Sequence, residues 1–125
     1  MITADIRRLV EFFEKATGLT ARWFTDDFAE LSSGTFAIAI GSTRTLAFFG
    51  KGIAAAASNK SMILEFIVTN VDDDYERVKA LTNDIVQAPT TMPWGNRSLL
   101  FRDPDGNLIN FFTPVSPEAI RKFTA

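Results

Sequence analysis

The chain has 125 residues, 46% hydrophobic and 22% charged, a balance that suits a globular fold burying about two thirds of its unfolded surface. Its formal net charge of −2 argues against a general nucleic-acid binder, which needs a basic face. Histidine and cysteine are both absent. That removes disulfides, thiol chemistry, zinc–thiolate sites and the ordinary serine–histidine triad, and it leaves only oxygen donors, which suit magnesium, calcium or manganese.

Met1 to Asp5 lacks the basic and apolar regions of a signal peptide. The longest apolar stretches, such as Phe36 to Ile40, are far too short to span a bilayer. The expectation is a cytoplasmic protein with no membrane partner and no nucleic-acid partner.

Ile6, Leu9, Val10, Phe13 and Ala16 recur at helical spacing, with Asp5 as candidate N-cap and Gly18 as the residue that ends the helix in a left-handed conformation. Phe12, Phe13, Phe24 and Phe28 are expected in the core, and Trp23 in the core or a dimer interface. Phe36 to Ile40, a turn near Gly41 to Thr43, and Thr45 to Phe49 read as a hairpin. Residues 51 to 60 form a small-residue linker.

Met62 to Thr69 then reads as a full strand. Asn70 is the candidate cap of a second helix striped by Val71, Tyr75, Val78 and Leu81, with Asn83 as its stop. Asp72, Asp73 and Asp74 fall in its first turn, where carboxylates favour the positive end of the helix dipole. Ser98 to Phe101, the turn Asp103-Pro-Asp-Gly106 and Leu108 to Phe112 form a second hairpin. Pro117 to Thr124 closes the chain with one or two helical turns.

A shift of 65 residues lays the first helix on the second, Asp5 on Asn70 and Ile6 on Val71, and a shift of 63 lays Phe48-Phe49 on Phe111-Phe112. The chain is therefore read as two copies of one unit. The expected organisation is one domain, with unit one at 1–50, the linker at 51–60, unit two at 61–114 and a tail at 115–125. The first strand of unit one is short or missing, since only Met1 to Ala4 precede its helix.

A repeated βαβββ unit, with the strand–Asp103-Pro-Asp-Gly-Asn107–strand element in the second copy, resembles the vicinal oxygen chelate superfamily of glyoxalase I, extradiol dioxygenases, fosfomycin-resistance enzymes and bleomycin-resistance proteins. Arg8 to Leu19 and Phe66 to Asp72 support the resemblance, which covers nearly the whole chain. It implies an α+β fold whose mixed β-sheet curls into a cup with helices outside, and a homodimer.

In the metalloenzymes of that superfamily the metal is held by residues on the first and last strands of each unit. Those positions fall here on Ile63 and Asn110 in unit two and on Ala47 in unit one, and the fourth falls before Met1. The set implies no metal and no cofactor.

Strand alternation then sorts the remaining side chains. Leu108, Asn110 and Phe112, with Ile63, Glu65 and Ile67, are expected to face the cup, as are Thr45, Ala47 and Phe49. Glu65 is the candidate for holding a cation or acting as a general base; its alternative is an ion pair with Arg97 or Arg44. Trp94 is a candidate stacking platform, and Arg97 joins the ligand-binding set.

The first functional reading is a metal-independent binding protein of the bleomycin-resistance type, which sequesters a small aromatic or amphipathic compound, cationic ones included. The alternatives are a metal-free isomerase or lyase with Glu65 as base, and a metal-dependent lyase or dioxygenase completed by a ligand upstream of Met1.

Overall fold

Asp5 and Asn70 set the two long helices going. The Asp5 carboxylate accepts from Arg8 N at 3.1 Å, and Asn70 Oδ1 accepts from Asp72 N at 3.1 Å and Asp73 N at 3.3 Å, which satisfies first-turn donors that no helical carbonyl can reach. The computed structural model describes residues 1–124 and builds the same unit around each helix. In chain order the first holds β1 (Ile2–Thr3), α1 (Ile6–Thr17), β2 (Arg22–Thr25), β3 (Phe28–Ser33), β4 (Phe36–Ser42) and a 3₁₀ helix (Thr43–Phe48). The second holds β5 (Ile63–Ile67), α2 (Val71–Leu81), β6 (Ile85–Thr91), β7 (Asn96–Arg102), β8 (Leu108–Pro114) and α3 (Pro117–Phe123).

Each unit is a four-stranded mixed sheet, ordered β1-β4-β3-β2 and β5-β8-β7-β6. In both, the strand before the helix pairs parallel with the last strand, and the other pairings are antiparallel. The parallel pair needs a crossover, which α1 and α2 begin. The class is α+β, a doubled βαβββ unit, as the repeat implies. The strand β1 spans only Ile2–Thr3. By contact clustering, unit one is 1–59 together with the turn 104–106, and unit two is 60–103 with 107 onward. Residues 51–59 of the linker thus group with unit one, and Lys60 and the tail with unit two. No helix among the described residues is long and apolar enough to cross a membrane.

The core of unit one lies where the α1 stripe of Ile6, Leu9, Val10, Phe13 and Ala16 meets Ala29, Leu31 and Ile40 of its sheet, all buried. In unit two, Val71 and Val78 of α2 are buried with Leu99, Phe101, Ile109 and Phe111. Each large side chain so buried contributes about 1.5–3 kcal/mol. The consequence for function is that each sheet spends one face on its long helix and keeps the other for a site, although in the second sheet α3 covers that face at Phe112.

Four expectations need correction. Residues 45–49 are not a strand: Ser42 Oγ accepts from Arg44 N at 3.2 Å and Thr45 Oγ1 donates to Ser42 O at 2.7 Å, so the hydroxyls of Ser42-Thr-Arg-Thr45 seed a helical turn instead. The last strand of unit one is β4, and its hairpin partner is β3, not 45–49. The second helix stops at Leu81 with Thr82 extended (φ −141°), so Asn83 is not a left-handed stop. Phe24 is 48% and Trp23 37% exposed; both sit on β2, at the sheet edge, under Arg22 and Arg7, whose guanidinium carbons stand 4.8 and 5.0 Å from the ring centroids. Neither is core.

Candidate functional site

The strand register settles which residues of unit one correspond to those of unit two. Ile2 pairs with Gly41, and Ile67 pairs with Phe112. With the helices superposed, Ile2 lies on Ile67, so Gly41 takes the place of Phe112 and Ala39 the place of Asn110. Ala47 therefore loses its assigned position; it is exposed on the 3₁₀ helix. The residue that replaces it on the last strand, Ala39, is equally unable to bind a metal.

On the free face of the first sheet lies a pocket of about 590 Å³. Its floor is made by Ile2 of β1, Phe28 of β3 and Ala39 and Gly41 of β4. The 3₁₀ helix comes down beside it, bringing Thr45, Phe48 and the following Phe49. Gly41 makes this approach possible, since a Cβ there would lie 2.9 Å from Thr45 Oγ1. Phe48 is 87% and Phe49 70% exposed. Two adjacent phenylalanines left in water at a pocket mouth are unusual enough to carry weight.

Asp27 and Arg44 complete the rim. Asp27 Oδ1 accepts from Arg44 Nε at 2.7 Å and from Ser42 Oγ at 2.7 Å, and Arg44 Nη2 lies 2.6 Å away. The hydrogen bond from Arg44, then that from Ser42, hold the Asp27 carboxyl below its ordinary value of 3.8, and Asp27 in turn raises Arg44. A carboxylate with a lowered folded pKa stabilises the fold above its unfolded pKa, and that contribution is lost as pH falls through the folded value. Acidification below the ordinary value is therefore expected to loosen residues 42–49. Amide exchange of this segment as a function of pH reads the effect, and Asp27→Asn should show the loosened state already at neutral pH.

The other sequence-predicted residues fall elsewhere. Ile63, Glu65 and Ile67 of β5 share the free face of the second sheet with Leu108, Asn110 and Phe112 of β8. Glu65 is exposed, pairs in register with Asn110, and accepts from its Nδ2 at 3.1 Å. Both arginines proposed as its partner are paired elsewhere. Arg44 is held by Asp27, and Arg97 makes a two-pronged pair with Asp72, Nε to Oδ2 at 2.8 Å and Nη2 to Oδ1 at 3.0 Å. Alternation puts Arg97 on the helix side with Leu99 and Phe101, so it anchors the start of α2 and does not line the Asn110 face. Trp94 is 67% exposed in the loop before β7. Phe112 is buried against Phe123 of α3, ring centroids 5.3 Å apart. Of the residues expected to face the cup, Thr45 and Phe49 line this pocket; Phe48, Phe28, Asp27 and Arg44 line it too and were not among them.

The turn at Asp103–Gly106 is used locally. Asp103 Oδ1 accepts from Asn107 N at 2.9 Å and Oδ2 from Asn107 Nδ2 at 2.8 Å, which closes the hairpin.

A family model described as the Glyoxalase/Bleomycin resistance protein/Dioxygenase superfamily matches residues 1–111. The chain belongs to that superfamily. The uncharacterized protein YraH of Bacillus subtilis (strain 168) is 28% identical over 119 residues, 90% of this chain and 92% of the relative. Among solved structures, a glyoxalase/bleomycin resistance protein/dioxygenase family enzyme from Burkholderia phytofirmans PsJN superposes with a TM-score of 0.82 at 18% identity, covering 92% of this chain and 94% of its own. A protein from the mobile metagenome of V. Pseudocholerae gives a TM-score of 0.68 at 29% identity, covering 93% and 91%. The two solved structures show a shared fold.

Metalloenzymes of the superfamily need converging anionic ligands. A hard divalent cation takes six to eight oxygens, several of them charged. The positions present here carry Ala39, Ile63 and Asn110, and among the described residues no three of Asp, Glu, His or Cys cluster to hold a metal. The residues present do not fit a metal centre.

Proposed function

We propose that this superfamily member is a metal-independent binding protein that takes a small aromatic or amphipathic compound, its apolar body in the first-sheet pocket and its polar end at the rim. The observation that carries this reading is the pair Phe48 and Phe49, held exposed beside an apolar floor of ligand-sized volume. Pockets for small molecules are typically about 300–1,000 Å³, apolar, with a few placed polar groups, and this one fits on each count. Burying the two rings against a ligand returns exposed aromatic surface to an apolar environment, at about 25 cal/mol per Å². The Asp27–Arg44 pair offers both an acceptor and N–H donors, so a neutral polar or zwitterionic end suits the rim.

Sequestration is the reading that the composition of the lining supports. The polar side chains of its lining are Thr25, Asp27, Arg44 and Thr45, and Asp27 is held by Arg44, which favours binding over turnover. Calorimetry against a panel of planar aromatics and amphipathic antibiotics tests the reading. The expected result is at least one ligand tighter than millimolar whose affinity drops at least tenfold in the Phe48→Ala/Phe49→Ala double variant. No binding across the panel, or binding that the double variant leaves unchanged, rejects it.

A further inference from the structure

The 3₁₀ helix at the pocket mouth is built unlike the rest of the wall. It runs six residues, Thr43–Phe48, and none of them is buried. Runs longer than about three or four residues are uncommon, because eclipsed side chains and poorly aimed hydrogen bonds weaken them. Few buried contacts mark a segment that opens at small free-energy cost.

Its two ends are held differently. At the start, Ser42 Oγ accepts from Arg44 N at 3.2 Å, Thr45 Oγ1 donates to Ser42 O at 2.7 Å, and Arg44 Nε donates to Asp27 Oδ1 at 2.7 Å. Asp27 lies in the turn between β2 and β3, and Ser42 ends β4, so these bonds tie the start of the helix to the sheet. At the far end the amides of Phe49 and Gly50 share one acceptor, Leu46 O, at 3.1 and 3.0 Å. Gly50 then turns at φ +147°, a backbone that side chains rarely adopt. The loosely held end is the one that carries Phe48 and Phe49, both exposed although they border the pocket.

We propose that residues 43–49 are a lid on the first-sheet pocket, latched by Arg44 to Asp27 and hinged at Gly50, which swings Phe48 and Phe49 inward onto a bound apolar ligand. This rests on the reading of that pocket as a ligand site. A ligand seated on Ile2, Phe28 and Ala39 gives the two rings an apolar surface to bury against, so closure is favoured when the pocket is filled. The latch keeps the base of the lid in place while its free end moves.

The chain has no cysteine, so Ala47→Cys on the lid and Ser33→Cys at the end of β3, both exposed positions, take two nitroxide labels without background. Double electron–electron resonance then reads their separation in the full chain, with and without Nile red, a neutral planar aromatic dye whose fluorescence reports its own binding. Saturating dye is expected to shift and narrow the distance distribution. In the Phe48→Ala/Phe49→Ala background the dye should bind at least tenfold more weakly and the shift should vanish. Asp27→Asn, with the latch released, should broaden the distribution before any dye is added; an unchanged width would overturn the latch. If the dye binds, is weakened by the double variant and yet leaves the distances unchanged, the mouth is rigid: the lid is overturned and the pocket stands. A dye that does not bind, or whose affinity the double variant leaves unchanged, overturns the lid together with the pocket.

Discussion

Phe111→Ala should cost about 3–5 kcal/mol of stability, the usual range for truncating a buried phenylalanine. Phe111 is 2% exposed on the helix-facing side of β8. Its ring centroid lies 5.0 Å from Phe101 at 87° and 5.5 Å from Phe66 at 76°. Both are edge-to-face contacts, which add about 0.5–1.5 kcal/mol each beyond area burial. Phe66 sits on β5, Phe101 on β7 and Phe111 on the strand between them, so one truncation loosens three strands at once. For a domain of this size each kcal/mol corresponds to about 3–6 °C in Tm, and a thermal melt should fall by roughly 10–25 °C. Phe24→Ala serves as the comparison: that ring is half exposed, and its loss should stay near 1 kcal/mol. A Phe111→Ala variant that melted within a few degrees of the parent would mean that the three rings do not act as one cluster.

The helices were legible in the sequence because their signals are local. A cap, an apolar stripe and a stop occur within one short segment, and Asp5, the Ile6–Ala16 stripe and Gly18 state all three. Asn70 with Val71 and Val78 states the first two, while Asn83 misleads because Thr82 turns the chain into extended backbone before it. The second hairpin was legible for the same reason, through Asp103-Pro-Asp-Gly-Asn107. The first hairpin was not. Its strands β2 and β3 alternate only weakly, and Thr45-Leu-Ala-Phe-Phe49 is a short apolar run whose periodicity does not separate strand from helix. The decisive signal was polar: Ser42 followed by Thr43, Arg44 and Thr45 is a cap sequence, and a hydroxyl competing for the backbone ends a strand.

That one misplacement had a definite consequence for the site. Taking 45–49 as the last strand put Ala47 at a ligand position and turned Phe49 inward, whereas β4 puts Ala39 there and stands Phe48 and Phe49 at the mouth of a pocket. The reassignment changes nothing at that one position, since neither alanine carries a metal donor. The pocket itself was not legible, since it depends on Gly41 letting the 3₁₀ helix approach the sheet, which shows only once 43–48 is a helix and not a strand. Glu65 and Asn110 were placed correctly on one face by alternation alone. Their mutual hydrogen bond required the parallel register of β5 with β8, which sequence alternation cannot supply.

Gly95→Ala is the second large effect expected, and its size comes from two causes that can be separated. Gly95 has φ +93°, where an L side chain is strained, and an added Cβ would lie 2.0 Å from Ser116 Oγ, 2.7 Å from Ser116 Cβ and 3.1 Å from Ala119 Cβ. Ser116 caps α3 by accepting from Ala119 N at 3.1 Å, and Gly95 O receives the amides of Val115 and Ser116 at 2.9 and 3.1 Å. The methyl would therefore push α3 off its anchor, removing Phe123 from Phe112. Strain of about 1–3 kcal/mol and overpacking of about 1–3 kcal/mol together predict a loss of roughly 2–6 kcal/mol. Gly106→Ala isolates the first cause, because Gly106 has φ +83° with nothing within 4 Å of its added Cβ. Urea denaturation of both variants should give Gly95→Ala the larger loss by at least about 1 kcal/mol. Only Gly95→Ala should also raise amide exchange across α3 and expose the Phe112 ring. Equal losses would assign the whole effect to backbone strain and leave the seating of α3 independent of Gly95.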